Sequence, residues 1–309
     1  MTNWKLILAY DGSPYRGWQV QPNLPTVQGL LCDAIHRTVG ERVLPQGSGR
    51  TDAGVHALAQ VASFALAAPI PAASLHRALN RCLPPSIRVL AVEAVPPTFH
   101  ARHSALGKTY EYRIFPLCAP SLEPRTPNLE PDLICPPILA PYVWPCPWPL
   151  SLDALNQAAA HVLGTHDFTS FAAADPDLSS REFSPFGGSR GLQPPENSQW
   201  IQGALAPGFL AQPTTSNQQP TTSIRTITHS EWRAAGDLLI YRVTADGFLH
   251  HMVRNLVGTF VQAGAHRLSP DSIPTLLAAR DRASAGPTAP ASGLFLVSVD
   301  YPAPLALSS

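Results

Sequence analysis

The order of apolar patterns in the first hundred residues admits few folds. Trp4–Tyr10 is a short apolar run that stops at the turn signal Asp11-Gly12, and reads as a buried strand. Thr26 can cap a helix whose apolar positions Val27, Leu30, Leu31, Ala34 and Ile35 recur at helical spacing. Arg42–Gln46 and Gln60–Phe64 read as strands on either side of a glycine-rich loop. Pro71 suits the opening of a second helix carrying Leu75, Ala78, Leu79 and Cys82, and Ile87–Val92 reads as another strand. The resulting β-α-β-β-α-β order is that of a ferredoxin-like split unit.

A second α+β half follows, without sequence repetition of the first. Lys108–Phe115 alternates, with Tyr110, Tyr112 and Ile114 on one face and Thr109, Glu111 and Arg113 mostly on the other. Ser151 can cap a helix with Leu152, Leu155, Ala159 and Val162 inward, ended by Gly164. Ile224–Trp232 and Leu238–Thr244 read as a strand pair. A helix over His250–Ala263 carries the stripe Met252, Val253, Leu256, Val257, Phe260 and Val261, and Leu294–Val299 is a last strand. The fold class is therefore α+β, with an N-terminal domain over residues 1–105 and a C-terminal one over 106–309. Two stretches, about 116–150 and 175–223, are rich in Pro and polar residues and poor in periodicity; they are expected to be mobile surface inserts.

The chain has 309 residues, a formal net charge of zero and five cysteines without a CxxC pair, so neither a disulfide framework nor a zinc site is indicated. The N-terminus lacks the pattern of a signal peptide, and prolines interrupt the apolar stretch Leu133–Leu150, so a cytoplasmic protein without a membrane span is expected. The charges are segregated. Residues 1–113 hold 11 Lys and Arg against 6 Asp and Glu, whereas residues 114–230 hold 4 against 9. A nucleic-acid backbone responds to local basic surface, so a zero total does not exclude an RNA partner.

Between the second and third strands of the first half lies GSGRTDAGVH, Gly47–His56, which gathers a guanidinium, a hydroxyl, a carboxylate, an imidazole and three glycines in ten residues. An Asp in such a loop can merely cap a turn. Further segments argue for a site: YDGSPYRGWQVQPNLPTVQ at Tyr10–Gln28, FHARHSALGKTYEYRI at Phe99–Ile114, GTHDFTSF at Gly164–Phe171, DGFLHHMVRNLVG at Asp246–Gly258 and GLFLVSVDYP at Gly293–Pro302. In this order they resemble the TruA family of tRNA pseudouridine synthases over nearly the whole chain.

That resemblance implies two ferredoxin-like or RRM-like halves, with mainly antiparallel sheets, flanking a central cleft. It implies isomerisation of uridine to pseudouridine at tRNA positions 38–40, in the anticodon stem-loop, by a homodimer that needs no cofactor, metal or DNA. Asp52 corresponds to the catalytic carboxylate, Arg254 to the arginine set against it, and Tyr110 to the tyrosine that stacks on the target uracil. Arg50 corresponds to the arginine that fills the space left by the flipped nucleotide; His56 and Arg102 are further expected substrate contacts.

The residue types suit that chemistry. The reaction breaks a C–N glycosidic bond and rejoins the uracil through carbon, so a carboxylate suffices to start it, by attack on C1′ or by removal of the C2′ proton. A guanidinium beside such a carboxylate favours its charged form. Two other readings remain at this level. One is a non-catalytic RNA-binding protein on the same fold, which would be expected to lack Asp52. The other is a metal-dependent hydrolase, which would need Asp52, His56, His166, Asp167, His250 and His251 to converge; the adjacent His250-His251 pair lacks the spacing of helix-borne ligands.

Overall fold

A computed structural model describes residues 1–118, 133–173 and 222–302. The first half forms β1 (Thr2–Tyr10), α1 (Val27–Val39), β2 (Gln46–Gly47), β3 (His56–Leu66), α2 (Ala72–Cys82) and β4 (Ile87–Val95), in the order expected. The Thr26 side chain accepts a hydrogen bond from the Gly29 amide and caps α1, which ends at Gly40 in the left-handed conformation. Along β1, Trp4, Leu6, Leu8 and Tyr10 are buried and alternate with partly exposed residues. They join Val27, Leu31, Ala34 and Ile35 of α1 and Leu75 and Leu79 of α2 in one hydrophobic cluster.

The second half forms β5 (Gly107–Pro116), β6 (Trp144–Cys146), α3 (Leu152–Ala160), β7 (Gly164–Asp167), β8 (Ile224–Ala235), β9 (Leu238–Ala245), α4 (Met252–Gly264), α5 (Ile273–Ala279) and β10 (Leu294–Asp300). Eight strands make one sheet in the order β4-β1-β3-β10-β5-β9-β8-β7, with β2 added to β3 and β6 to β5. The pairings are antiparallel except β3 with β10 and β5 with β6. The architecture is α+β and the sheet mainly antiparallel. Among the described residues, no helix is long and apolar enough to cross a membrane.

The junction between the halves depends on how little of the Arg42–Gln46 strand forms. Only Gln46 and Gly47 pair, opposite Ser63 and Ala62. Pro45 has no N–H to give to a ladder. The same edge of β3 is therefore open at His56 and Ala57, where Phe295 and Leu296 of β10 dock in parallel.

Both faces of β5 are buried. Thr109 and Glu111 are buried as Tyr110, Tyr112 and Ile114 are, and Arg113 and Arg242 lie over the Glu111 carboxylate at 3.6 and 3.2 Å. Two further expectations are corrected. Helix α3 ends at Ala160 with a right-handed His161 cap; Gly164, with φ of 93°, instead starts β7. The described part of the first Pro-rich stretch is built into the fold. Trp144–Cys146 pairs with β5, and Val143, Cys146 and Leu150 are buried, so its apolar residues outweigh its prolines. The second Pro-rich stretch lies outside the described residues up to position 221.

Candidate active site

The loop Ser48–Val55 leaves β2 and enters β3, and the Tyr10–Trp18 segment forms its seat. The Tyr10 hydroxyl bonds the Thr51 hydroxyl at 2.9 Å, the Trp18 amide donates to the Thr51 carbonyl at 3.0 Å, and the Gly54 amide donates to the Tyr15 carbonyl at 3.3 Å. Gly17 has φ of 88°, and a Cβ there would fall 2.6 Å from the Thr51 carbonyl oxygen, so the seat needs glycine for both conformation and approach. On the other side, Gln60 donates to the Gly49 carbonyl at 2.9 Å and accepts from Ser48 Oγ at 2.6 Å. Held at both ends, the loop presents the Asp52 side chain, 19% exposed. Among the described residues, its carboxylate accepts no backbone N–H, so it is not a turn cap.

Arg254, in the first turn of α4, meets it. Its Nη1 donates to Asp52 Oδ2 at 3.0 Å and its Nε donates to the Ala289 carbonyl at 2.8 Å, and its side chain is 15% exposed. The two bonds fix the guanidinium plane, and the partly desolvated pair forms a strong charge-assisted contact.

The histidines before α4 complete the cluster. The helix begins at Met252 rather than His250, because His251 takes the left-handed conformation with φ of 58°. This turn lays the two rings side by side, 4.0 Å between centroids. His251 Nε2 lies 3.3 Å from Asp52 Oδ2 and His250 Nε2 3.6 Å from Oδ1. Burial pushes the pKa of His251 below its usual value; Asp52 opposes this, and His250, Arg254 and Arg282 add to it. The neutral imidazole thus gains weight at neutral pH.

Tyr110 stands in β5 on the face that includes Tyr112 and Ile114. Its ring, 7% exposed, meets Phe248 edge-on at 5.0 Å. Burial drives its phenol pKa far upward, and the charge of Asp52 contributes, so the hydroxyl keeps its proton at ordinary pH. Arg50 and Arg102 are exposed.

His56 is elsewhere. It is 1% exposed and stacks on Phe295 at 4.6 Å, and Phe295 registers with Glu111, on the face of the sheet opposite Tyr110. Its Nδ1 accepts from the Gly12 amide at 3.1 Å and lies 3.2 Å from Asp11. The strand period of two thus places His56 away from the Asp52 cluster.

The model of a family described as tRNA pseudouridine synthase matches residues 6–104 and 209–302. Among curated relatives, the tRNA pseudouridine synthase A of Solibacter usitatus is 40% identical over 298 residues, covering 96% of this chain and 98% of that protein. That of Moorella thermoacetica is 41% identical over 299 residues, with the same two coverages. That of Methylobacterium radiotolerans is 36% identical over 302 residues, covering 97% and 98%. The chain belongs to the tRNA pseudouridine synthase family. Both matched segments of the family model contribute to the site, the first through Asp52 and the second through Arg254.

Of the six residues that a metal-dependent hydrolase reading requires, this family member brings together three. Ligand atoms of Asp52, His250 and His251 lie within 4.8 Å of one another. His166 and Asp167 lie on β7 at the sheet edge, where Asp167 pairs with Arg280 at 3.0 Å. The convergence of the adjacent histidines comes from the left-handed turn at His251, which residue spacing does not reveal. A divalent ion fits this triad poorly, because Arg254 already places a cation on the Asp52 oxygen that His251 faces.

Sequence reasoning also missed the 285–290 strap. Ala289 holds Arg254 through both its carbonyl and its amide, and the buried Asn255 side chain bonds Phe171, Arg282 and Thr288 at 2.8, 3.0 and 2.7 Å. The Asn following Arg in MVRN was the available signal, since a polar residue on an apolar helix has to find partners when buried.

Proposed function

We propose that the protein isomerises uridine to pseudouridine in the anticodon stem-loop of tRNA, at positions 38–40, with Asp52 as the group that starts the reaction. The observation that carries this is the Asp52–Arg254 contact at 3.0 Å, in a carboxylate held by its loop but given no turn-capping duty. The relatives' name, tRNA pseudouridine synthase A, supports the substrate.

Asp52 either attacks C1′ or takes the C2′ proton; in both cases the glycosidic C–N bond breaks and uracil leaves with the bonding electrons. The base then turns and C5 bonds to C1′, which displaces Asp52 from C1′ on the first route and returns the proton to C2′ on the second; the C5 proton is lost and N1 ends protonated, so atoms and electrons balance without a cofactor. Arg254 supplies a fixed countercharge, and Tyr110 offers a ring face for the base to stack on and a protonated hydroxyl for the closing proton transfer. Arg50 and Arg102 contact the RNA, Arg50 in the space that the flipped base vacates. We assign the Asp loop to an N-terminal domain of about residues 1–105, and the protein to the cytoplasm, with tRNA rather than DNA as its partner.

Carbodiimide mapping of tRNA from cells with and without the protein tests the reading. Pseudouridine at positions 38–40 should be present only with it, and an unchanged map would reject the activity. Purified protein should keep full activity in EDTA once the tRNA has folded. Loss restored by zinc, rather than by magnesium acting on the tRNA, would show that the Asp52–His250–His251 triad works as a metal centre. Light scattering should give a homodimer, because one chain offers modest basic surface to so large a substrate; a fully active monomer contradicts this.

A further inference from the structure

Lys108 is the one lysine outside β1, and the reaction outlined above gives it no role. It precedes Tyr110 by two residues on β5 and so projects from the same face of the sheet, about 7 Å along the strand. Its Nζ reaches back over the catalytic loop. A Cβ built on Gly49, three residues before Asp52, would lie only 3.1 Å from that nitrogen.

The surroundings are cationic. Ala245 of β9 registers with Lys108 and with Ile227 of β8, which places Arg225, two residues before Ile227, on the same face. Arg102, in the turn before β5, and Arg225 both act on the Lys108 ammonium. Arg50 is exposed in the same loop as Gly49. Of the carboxylates at the neighbouring strand ends, Asp246 acts on Arg225. Asp300 registers with Gly107, and Asp246 lines a cavity of about 230 Å³ with Gly107, Thr226, Thr244 and Asp300. Among the described residues, no carboxylate lies within ion-pair distance of Lys108. A half-buried ammonium with no carboxylate on it, set beside further cations, is suited to bind an anion.

We propose that Lys108, flanked by Arg102 and Arg225, seats a phosphate of the RNA backbone at or next to the nucleotide whose sugar meets Asp52. This rests on the reading of the site as an RNA-modifying one, and deepens it. A base against Tyr110 and a sugar at Asp52 leave the phosphate of that stretch of chain within reach of the next residue on the strand face. Because burial, with Arg102 and Arg225, lowers the free amine to about 8, seating a phosphate takes up a proton above that pH. Asp52, three residues along the loop from Gly49, pairs with Arg254, and His250 and His251 face its carboxylate.

The test uses the full-length protein, an unmodified tRNA transcript, and the variants Lys108→Met and Lys108→Arg. Lys108→Met should weaken tRNA binding about tenfold near 0.1 M salt and reduce the slope of log affinity against log salt by about one. Lys108→Arg should restore both. Wild-type affinity should fall between pH 7.5 and 9 while that of Lys108→Arg stays level, since arginine does not titrate there. A single neutral methylphosphonate in the anticodon stem-loop should weaken wild-type binding at one position and leave Lys108→Met unaffected at that position.

Binding by Lys108→Met within twofold of wild type, with an unchanged salt slope, overturns the subsite. A parallel fall of wild type and Lys108→Arg with pH overturns the proton uptake. Wild-type protein that shows the phosphate dependence but makes no pseudouridine would reject the activity and keep the subsite, so the two failures are distinguishable.

Discussion

Asp52→Asn should leave a folded protein that binds tRNA and forms no measurable pseudouridine, a loss of about four orders of magnitude or more in turnover. Asn preserves the shape of the side chain, and the loop does not depend on its charge. The loop is fixed by bonds between its backbone or Thr51 and Tyr10, Tyr15, Trp18 and Gln60, and among the described residues Asp52 contributes to the turn through its own carbonyl, which accepts from Val55 at 3.1 Å. What disappears is the anion able to attack C1′ or remove the C2′ proton. Rapid-quench assays for turnover, filter binding for affinity and a thermal melt separate the three quantities. Near-normal turnover would remove Asp52 from the chemistry, and unfolding would make it structural.

Arg254→Ala is the paired case. It should lower turnover about 10²- to 10³-fold, the range for loss of one preorganised electrostatic partner. Binding should change much less, because Arg254 sits behind the carboxylate and is held by Ala289. Arg254→Lys keeps the charge but cannot make both bonds of the guanidinium, so it should recover only part of the rate.

How much of this was legible in the sequence varied with the kind of signal. The first half read well because its elements announce themselves locally: β1 by its alternation, α1 by Thr26 and its apolar stripe, α2 by Pro71. Arg42–Gln46 looked like a full strand because residue preference cannot show that the edge of β3 is shared with β10, which comes from the far end of the chain. The burial of Thr109 and Glu111 was not legible, because alternation distinguishes two faces but not whether the second is covered. The Trp144–Cys146 strand was obscured by prolines, although a parallel pairing with the edge of β5 accommodates them.

At the site, Asp52 was visible because little else needs its loop composition, and Arg254 because a motif carried it. The His250–His251 turn was not visible. A left-handed residue at 251 is imposed by tertiary packing at a helix entry, and nothing in its residue type requires it. His56 misled for a related reason. It closes the same motif as Asp52 but is the first residue of β3, and the pleat sends its ring to the other face.

Gly258→Ala should be the most destabilising single-methyl change near the site. In an exposed helix, the substitution would add about 1 kcal/mol of stability. Here the sign reverses. A Cβ at position 258 would fall 1.7 Å from the Pro287 carbonyl oxygen and 2.9 Å from its carbon, and both are backbone atoms that no rotamer change can move. The strap is tied down beside them: Gly286 donates to Thr259 Oγ1 at 2.9 Å, Thr288 bonds Asn255 at 2.7 Å, and the Ala289 amide donates to the Arg254 carbonyl at 3.1 Å. Relief therefore requires the helix and the strap to separate, with loss of several of these buried bonds. A cost of about 4 kcal/mol follows from overpacking combined with a broken polar network. In a domain of this size, that lowers the melting midpoint by about 10 °C. The protein that remains folded should be slow as well, because the Ala289 carbonyl that orients the Arg254 guanidinium moves with the strap. Circular dichroism melts and turnover measured on the same samples test both effects together. A variant that melts like the wild type would show that Pro287 does not press on α4, and would remove the strap from the support of Arg254.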